Sequence, residues 1–222
     1  MSRRSHVRDA LAIGLGVAVF GMAFGVLTIQ AGGTVWHAMA LSLLTFTGGS
    51  QFALAGVIQA GGSVATALTG AILLALRNGV YGLALSSTIT GGLGRRMLAA
   101  HFVIDESTAM AIAQPDPEQA QSAFWTTGLS LFVFWNVGTV IGALGGNVLG
   151  DPAGVGLDVA FPAGFLALMG PALRTRAGAI AAAVGAAIAL VALPTTSPGV
   201  PVLLAAAGAF VAHVLTRDSG AP

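Results

Sequence analysis

The sequence predicts an all-α polytopic membrane protein with about six crossing helices and one or two broken or re-entrant segments. Composition supports this prediction, because 55% of the 222 residues are apolar and only 8% are charged, whereas an average soluble domain carries about 25% charged residues. The apolar residues also form long runs, and a helix needs roughly 20 of them to cross a hydrocarbon core of about 30 Å. We therefore expect a multi-pass protein embedded in a lipid bilayer.

The candidate membrane segments follow one another through short linkers, which predicts a single domain over residues 1–222. They are Ala10–Ala31, Trp36–Ala60, Ser63–Thr90, Met97–Ala113, Ala123–Gly146, Asp158–Gly170, Gly178–Pro194 and Val200–Leu215. Within this domain, residues 1–9 and 216–222 are predicted to be cytoplasmic and 10–215 to form the bundle. The first apolar stretch exceeds a signal-peptide core of about 7–15 residues, so it is interpreted as a retained helix.

Arginine placement predicts the orientation, because basic residues that flank spans stay in the cytoplasm. All nine basic residues are arginine, and those at 3–8, 95–96, 174–176 and 217 should all lie inside. Three complete crossings before residue 95 would put Arg95 and Arg96 outside. One of the first three segments should therefore be broken or re-entrant. The short segment Met97–Ala113 contains an acidic pair and is also expected not to cross.

Two segments contain features that could interrupt a helix. Trp36–Ala60 contains Thr47, Gly48, Gly49, Ser50 and Gln51, and Ser63–Thr90 contains Arg77, Asn78 and Gly79. Each glycine costs about 1 kcal/mol of helix stability relative to alanine, and lipid cannot satisfy exposed polar groups. A half-helix that starts after such a break presents its N-terminal amides to a cavity, which suits a carboxylate. The alternative is a close helix contact made by small residues.

The charged residues within the apolar segments form a second candidate set. An arginine at the depth expected for Arg77 costs about 3 kcal/mol, so Asp105 or Glu106 is predicted to pair with it. The alternatives are a purely structural pair, or a helix that ends at the membrane surface near Arg77. The two acids could relay protons or simply cap an interfacial helix. Trp135 and Asn136 lie mid-segment and are predicted to line a cavity or to contact a partner.

From these two sets we predict that Thr47, Gly48, Gly49, Ser50, Gln51, Arg77 and Asn78 bind substrate, and that Asp105, Glu106, Trp135 and Asn136 act in coupling or gating. No metal site or cofactor is predicted. The sequence contains no cysteine, and no Walker, HExxH or GxSxG motif, so an enzyme is not expected. A net charge of +1 without a basic patch gives no support for nucleic-acid binding.

Several stretches together resemble the AzlC family, the large subunit of two-component branched-chain amino acid exporters. They are Gly21–Gly25, Ser42–Phe52, Leu76–Gly82, Asp105–Ser107, Trp135–Gly142 and Leu157–Ala163. The resemblance implies a permease of the bacterial cytoplasmic membrane that exports valine, leucine, isoleucine or analogues. It also implies a small AzlD-type partner subunit, and the missing ATPase motif favours an ion gradient as the driving force.

This chain departs from the family pattern at Ala75 and Asn78, where asparagine and histidine are frequent, and at Ile104, where threonine is frequent. These departures affect the expected substrate rather than the family. The alternative function is a passive channel or a membrane scaffold subunit for another small solute.

Overall fold

The computed structural model describes residues 3–148, 166, 170, 173–197 and 200–217. The described part is helical, as predicted. Its helices are α1 (Arg3–Gln30), α2 (Val35–Leu44), α3 (Gly49–Gln59), α4 (Val64–Ala84), α5 (Leu93–His101), α6 (Asp105–Ile112), α7 (Pro117–Val148), α8 (Arg176–Ala192), α9 (Val200–Ala205) and α10 (Ala207–Arg217). Apart from two residues, the predicted segment Asp158–Gly170 lies outside the described residues.

Among the described residues, three helices are long and apolar enough to span a bilayer. They contain the stretches Val7–Gln30, Val64–Ala84 and Pro117–Gly146, and they correspond to α1, α4 and α7. Three shorter apolar helices are Val35–Leu44, Arg176–Ala192 and Val200–Thr216. These lengths confirm a polytopic helical membrane protein.

The helices α1 and α7 pack along each other and form the centre of the described bundle. Glycines lie at the contact: a Cβ added to Gly21 would be 2.5 Å from the Trp135 carbonyl oxygen, and Cβ atoms at Gly25 and Gly142 would also meet backbone of the facing helix. Small residues let membrane helices approach until their backbones touch. The glycines of these segments therefore have a packing role.

The predicted break in Trp36–Ala60 is confirmed. The helix α2 has 10 residues and α3 has 11, so each is about 15 Å long. Between them Gly48 has φ 61° and ψ −85°, a conformation that side chains with a Cβ rarely adopt. The Gln51 amide joins the two halves, because its Nε2 donates to the Leu41 carbonyl oxygen (2.7 Å) and its Oε1 accepts from the Gly48 amide (3.3 Å).

The other candidate for the break, at Arg77–Gly79, is not broken, because α4 runs without interruption from Val64 to Ala84. Arginine is a good helix former and a single glycine costs only about 1 kcal/mol, which does not break a 21-residue helix. The predicted segment Met97–Ala113 is divided into α5 and α6, of 9 and 8 residues. Each is too short to cross, as expected for this segment.

The remaining helices lie at the C-terminal end of the described chain. The helices α8, α9 and α10 pack on one another, and α9 also contacts α4. The predicted segment Val200–Leu215 is divided at Ala206 into α9 and α10. The cavity described next is formed by the N-terminal half of the protein together with α7.

Candidate functional site

A cavity lies where the two broken segments meet the long helices. It contains about 610 Å³ of empty space including its open mouth. Its described wall consists of Val17, Phe20, Phe46, Thr47, Gly48, Gly49, Phe52, Arg77, Ile104, Asp105, Glu106, Leu131 and Trp135. The wall is therefore mostly apolar, and its polar part consists of charged side chains and two helix N-termini.

The cavity lies near the middle of the spans. Val17 and Phe20 are about midway along Val7–Gln30, and Leu131 is about midway along Pro117–Gly146. A solute in this cavity would be near the bilayer midplane, where transporters built from discontinuous helices commonly bind their substrates.

Two helix N-termini open onto the cavity, one from each broken segment. The helix α3 begins at Gly49 and has no acidic residue in its first turn. Its first backbone hydrogen bonds are donated by Gln51 and Phe52 to Gly48, so the amides of Gly49 and Ser50 precede the helical ladder. The helix α6 begins with Asp105 and Glu106. One N-terminus thus offers positive helix dipole without a counter-charge, and the other offers carboxylates.

The predicted pairing of Arg77 with an acidic residue is confirmed. Arg77 Nη1 lies 2.8 Å from Asp105 Oδ2, and the two side chains are 38% and 31% exposed. The Asp105 Oδ1 atom is buried and has no hydrogen-bond partner among the described residues. Tyr81, one helical turn after Arg77, also interacts with the Asp105 carboxylate. This contact joins α4 to the start of α6 through a single carboxylate.

Glu106 lines the same cavity without an ion-pair partner in the described part of the chain. It lies outside the three spans, in the short helix α6. Burial raises the pKa of the Glu106 carboxyl above its usual range, and the neighbouring Asp105 charge acts in the same direction. Glu106 is therefore the carboxyl of the pair that is available to a ligand or a proton.

Trp135 forms part of the apolar wall and is only 5% exposed. Its ring stacks on Phe24 at 6.0 Å and meets Phe52 edge to face at 5.9 Å. Its Nε1 is buried and has no hydrogen-bond partner among the described residues. A buried donor without a partner is uncommon, and Trp125 Nε1, which is outside the cavity wall, is a second such donor in the described part of the chain.

The structure brings together many of the predicted site residues. Thr47, Gly48, Gly49, Arg77, Asp105, Glu106 and Trp135 line one cavity. The other predicted site residues, Ser50, Gln51, Asn78 and Asn136, are not among its lining residues. Gln51 joins the half-helices, and Asn136 Oδ1 accepts from Ser42 Oγ at 2.7 Å between α2 and α7. Ser50 Oγ and Asn78 Oδ1 are buried without described partners.

Sequence reasoning missed Tyr81 and the apolar wall. Tyr81 is the one tyrosine of the sequence and stands four residues after Arg77, a spacing that puts two side chains on one face of a helix, so this signal was available. The apolar wall gave no signal, because its residues do not differ in type from those that face lipid. Within the described residues, no group of three or more His, Asp or Glu side chains could hold a metal ion.

Comparison with known proteins identifies two relatives that are named as membrane proteins. An uncharacterized membrane protein of Helicobacter pylori is 26% identical over 139 residues, which are 62% of this chain and 61% of that protein. The inner membrane protein YgaZ of Escherichia coli is 30% identical over 153 residues, which are 66% of this chain and 62% of that protein. The chain thus spans less than two thirds of the length of either relative.

No solved structure matches the chain. The family model described as AzlC protein matches residues 12–149, which is more than half of the chain and includes every described residue of the cavity wall. This protein therefore belongs to the AzlC family of membrane proteins.

Proposed function

We propose that this protein is a permease subunit of the bacterial cytoplasmic membrane that exports branched-chain amino acids through the described cavity. Export is driven by an ion gradient and requires a small AzlD-type membrane partner. Family membership supports a membrane transport role. The substrate class and the partner rest on the resemblance together with the chemistry of the cavity.

The observation that carries this proposal is the combination of groups around one cavity at mid-membrane depth. The α3 N-terminus and the unpartnered Trp135 Nε1 offer hydrogen-bond donors to a carboxylate. Glu106 offers a negative charge to an ammonium group. The rest of the wall is built from aromatic and aliphatic side chains, such as Phe20 and Leu131. An α-amino acid with an aliphatic side chain matches all three features.

The cavity also explains why an apolar solute alone is a poorer match. A wall that only excluded water would contain no buried donor or carboxylate, because an unpaired polar group costs about 1–3 kcal/mol when it is left unsatisfied. Here Trp135 Nε1 and Asp105 Oδ1 are both buried without described partners. A zwitterion supplies an acceptor and a donor at once.

The test is efflux of L-valine from cells that express the chain alone, its genomic neighbour alone, or both. We expect export against a concentration gradient only with both proteins, and its loss when the ion gradient is collapsed. When both are supplied as free amino acids, export of valine should exceed export of an acidic amino acid. A flux that only equalises the two sides and ignores the ion gradient would instead support a passive channel. No change in flux for any amino acid would contradict the proposal.

A further inference from the structure

We infer that Glu106 is a shared site for the ammonium group of the substrate and for a proton, so that the two compete for one carboxylate. This inference rests on the proposed function and deepens it, because it assigns to one residue both substrate recognition and coupling. The first observation is that the charges of the cavity are unequal. Arg77 is matched by Asp105 at 2.8 Å, which leaves the Glu106 carboxylate as a second negative charge with no described cationic partner.

The surroundings of Glu106 limit what can neutralise it. From α4, Arg77 and Tyr81 are the charged and titratable groups near it, and Arg77 is already paired with Asp105. From α7, the cavity wall contributes Leu131 and Trp135, neither of which carries a charge, and the α1 contributions are likewise apolar. Beyond its own backbone amide at the α6 N-terminus and the attraction of Arg77, a cationic ligand or a proton is therefore what the described wall leaves to neutralise Glu106.

A second, independent observation on the same wall is compatible with a ligand that accepts a hydrogen bond. Trp135 is only 5% exposed, and its Nε1 has no hydrogen-bond partner in the described part of the chain. The acidic pair alone would also fit a solvated helix cap. An unpartnered donor on the same wall does not follow from capping, and it calls for an acceptor such as a carboxylate oxygen.

The competition has a defined consequence for transport. When Glu106 is ionised, it attracts an ammonium group; when it is protonated, that attraction is lost and the site releases the amino acid. Burial raises the pKa of Glu106, which moves its protonation toward the mildly acidic conditions outside an energised cell. Proton binding on one side and substrate binding on the other then alternate at one carboxylate, which is an exchange of a proton for an amino acid.

The experiment measures binding of L-valine to the purified protein by calorimetry, at mildly alkaline and mildly acidic pH. We expect the apparent Kd of the wild type to rise on acidification, approaching about tenfold per pH unit once Glu106 is mostly protonated. Valine binding at intermediate pH should release protons into weakly buffered solution. Glu106→Gln should bind weakly at every pH, and Glu118→Gln should behave as the wild type. Glu118 is the matched control because it is the other glutamate of the sequence and is exposed.

A second ligand provides a readout that needs no variant. The deaminated analogue 3-methylbutanoate lacks the ammonium group, so acidification should not weaken its binding to the wild type. Valine binding that is independent of pH, or that keeps its pH dependence in Glu106→Gln, would overturn this inference and leave the proposed function standing. Failure of wild-type protein to bind valine at any pH, with no efflux in cells, would overturn both.

Discussion

The contact between α1 and α7 predicts that replacing glycine by alanine destabilises the protein at one position and not at another. A Cβ at Gly142 would overlap the main-chain carbonyl of Met22 on the facing helix, whereas a Cβ at Gly16 on α1 has no atom within 4 Å. Main-chain atoms cannot turn away as a flexible side chain can. We therefore expect Gly142→Ala to force the two helices apart.

The magnitude follows from two effects. Alanine is favoured over glycine in a helix by about 0.5–1 kcal/mol, so Gly16→Ala should be neutral or stabilising by that amount. Overpacking against rigid neighbours costs about 1–3 kcal/mol, which exceeds this gain at Gly142. The two variants should differ by about 2 kcal/mol, or a factor of roughly 30 in the unfolding equilibrium.

The assay is unfolding of purified protein from mild detergent by titration with a denaturing detergent, followed by tryptophan fluorescence. Trp135 reports on this interface because its carbonyl oxygen faces Gly21. A second variant from the other helix, Gly25→Ala, should resemble Gly142→Ala, because its Cβ would also meet facing backbone. If Gly142→Ala proved as stable as Gly16→Ala, the close packing of α1 on α7 would be refuted.

Three further predictions concern the charged end of the cavity and the topology. Arg77→Ala should lower the folded yield, because it leaves Asp105 unpaired at a cost of about 1–3 kcal/mol. Adding Asp105→Asn should restore the yield. Equal yields of all variants would show that the pair is unimportant for folding. Trp135→Phe should weaken valine binding several-fold by removing Nε1, whereas Trp125→Phe should not. Trp125 is the control because its Nε1 is also buried without a described partner but the residue is outside the cavity wall. Equal effects of the two variants would exclude a specific role for the indole N–H. A cysteine at Arg95 should resist an impermeant thiol reagent in intact cells, and labelling from outside would contradict the predicted orientation.

Much of the fold was predictable because a membrane restricts backbone structure to a few solutions. Long apolar runs such as Ala10–Ala31 fold as helices because every backbone group must be satisfied internally. The break before α3 was also predictable, because Gly48 and Gly49 stand next to the polar Gln51 within an apolar run. The same reasoning also made Arg77–Gly79 a candidate, but one glycine and one asparagine cost too little to interrupt a long helix.

The site was predictable in its polar part and not in its apolar part. Arg77 and Asp105 were identified because a charge in an apolar segment requires a partner. Phe20 and Leu131 were not, because lipid and a cavity wall select the same side chains. Gln51 was assigned to the substrate on its position, yet both ends of its side-chain amide bond to the backbone. A sequence gives the polarity of a residue but not the direction in which its side chain points.

The breaks before α3 and before α6 have the same hydrogen-bond pattern, and this explains why both helix starts can line one cavity. At each break the third residue of the new helix accepts from the preceding cap: Gln51 Oε1 from the Gly48 amide (3.3 Å), and Ser107 Oγ from the Ile104 amide (3.1 Å). Each also donates to a carbonyl oxygen before the break, Gln51 to Leu41 (2.7 Å) and Ser107 to Phe102 (2.6 Å).

The consequence is that the buried side chain at the third position satisfies the backbone of the break, which a bilayer could not, and the first two positions are left for the cavity. Of these positions, Gly49 of α3 and both Asp105 and Glu106 of α6 line the cavity. Glycine at the start of α3 leaves the helix amides without a covering side chain, whereas the two side chains at the start of α6 carry carboxylates. The same hydrogen-bond pattern, used twice with different residues at the helix start, thus gives the cavity both helix amides and carboxylates, which match the two charges of the proposed zwitterionic substrate.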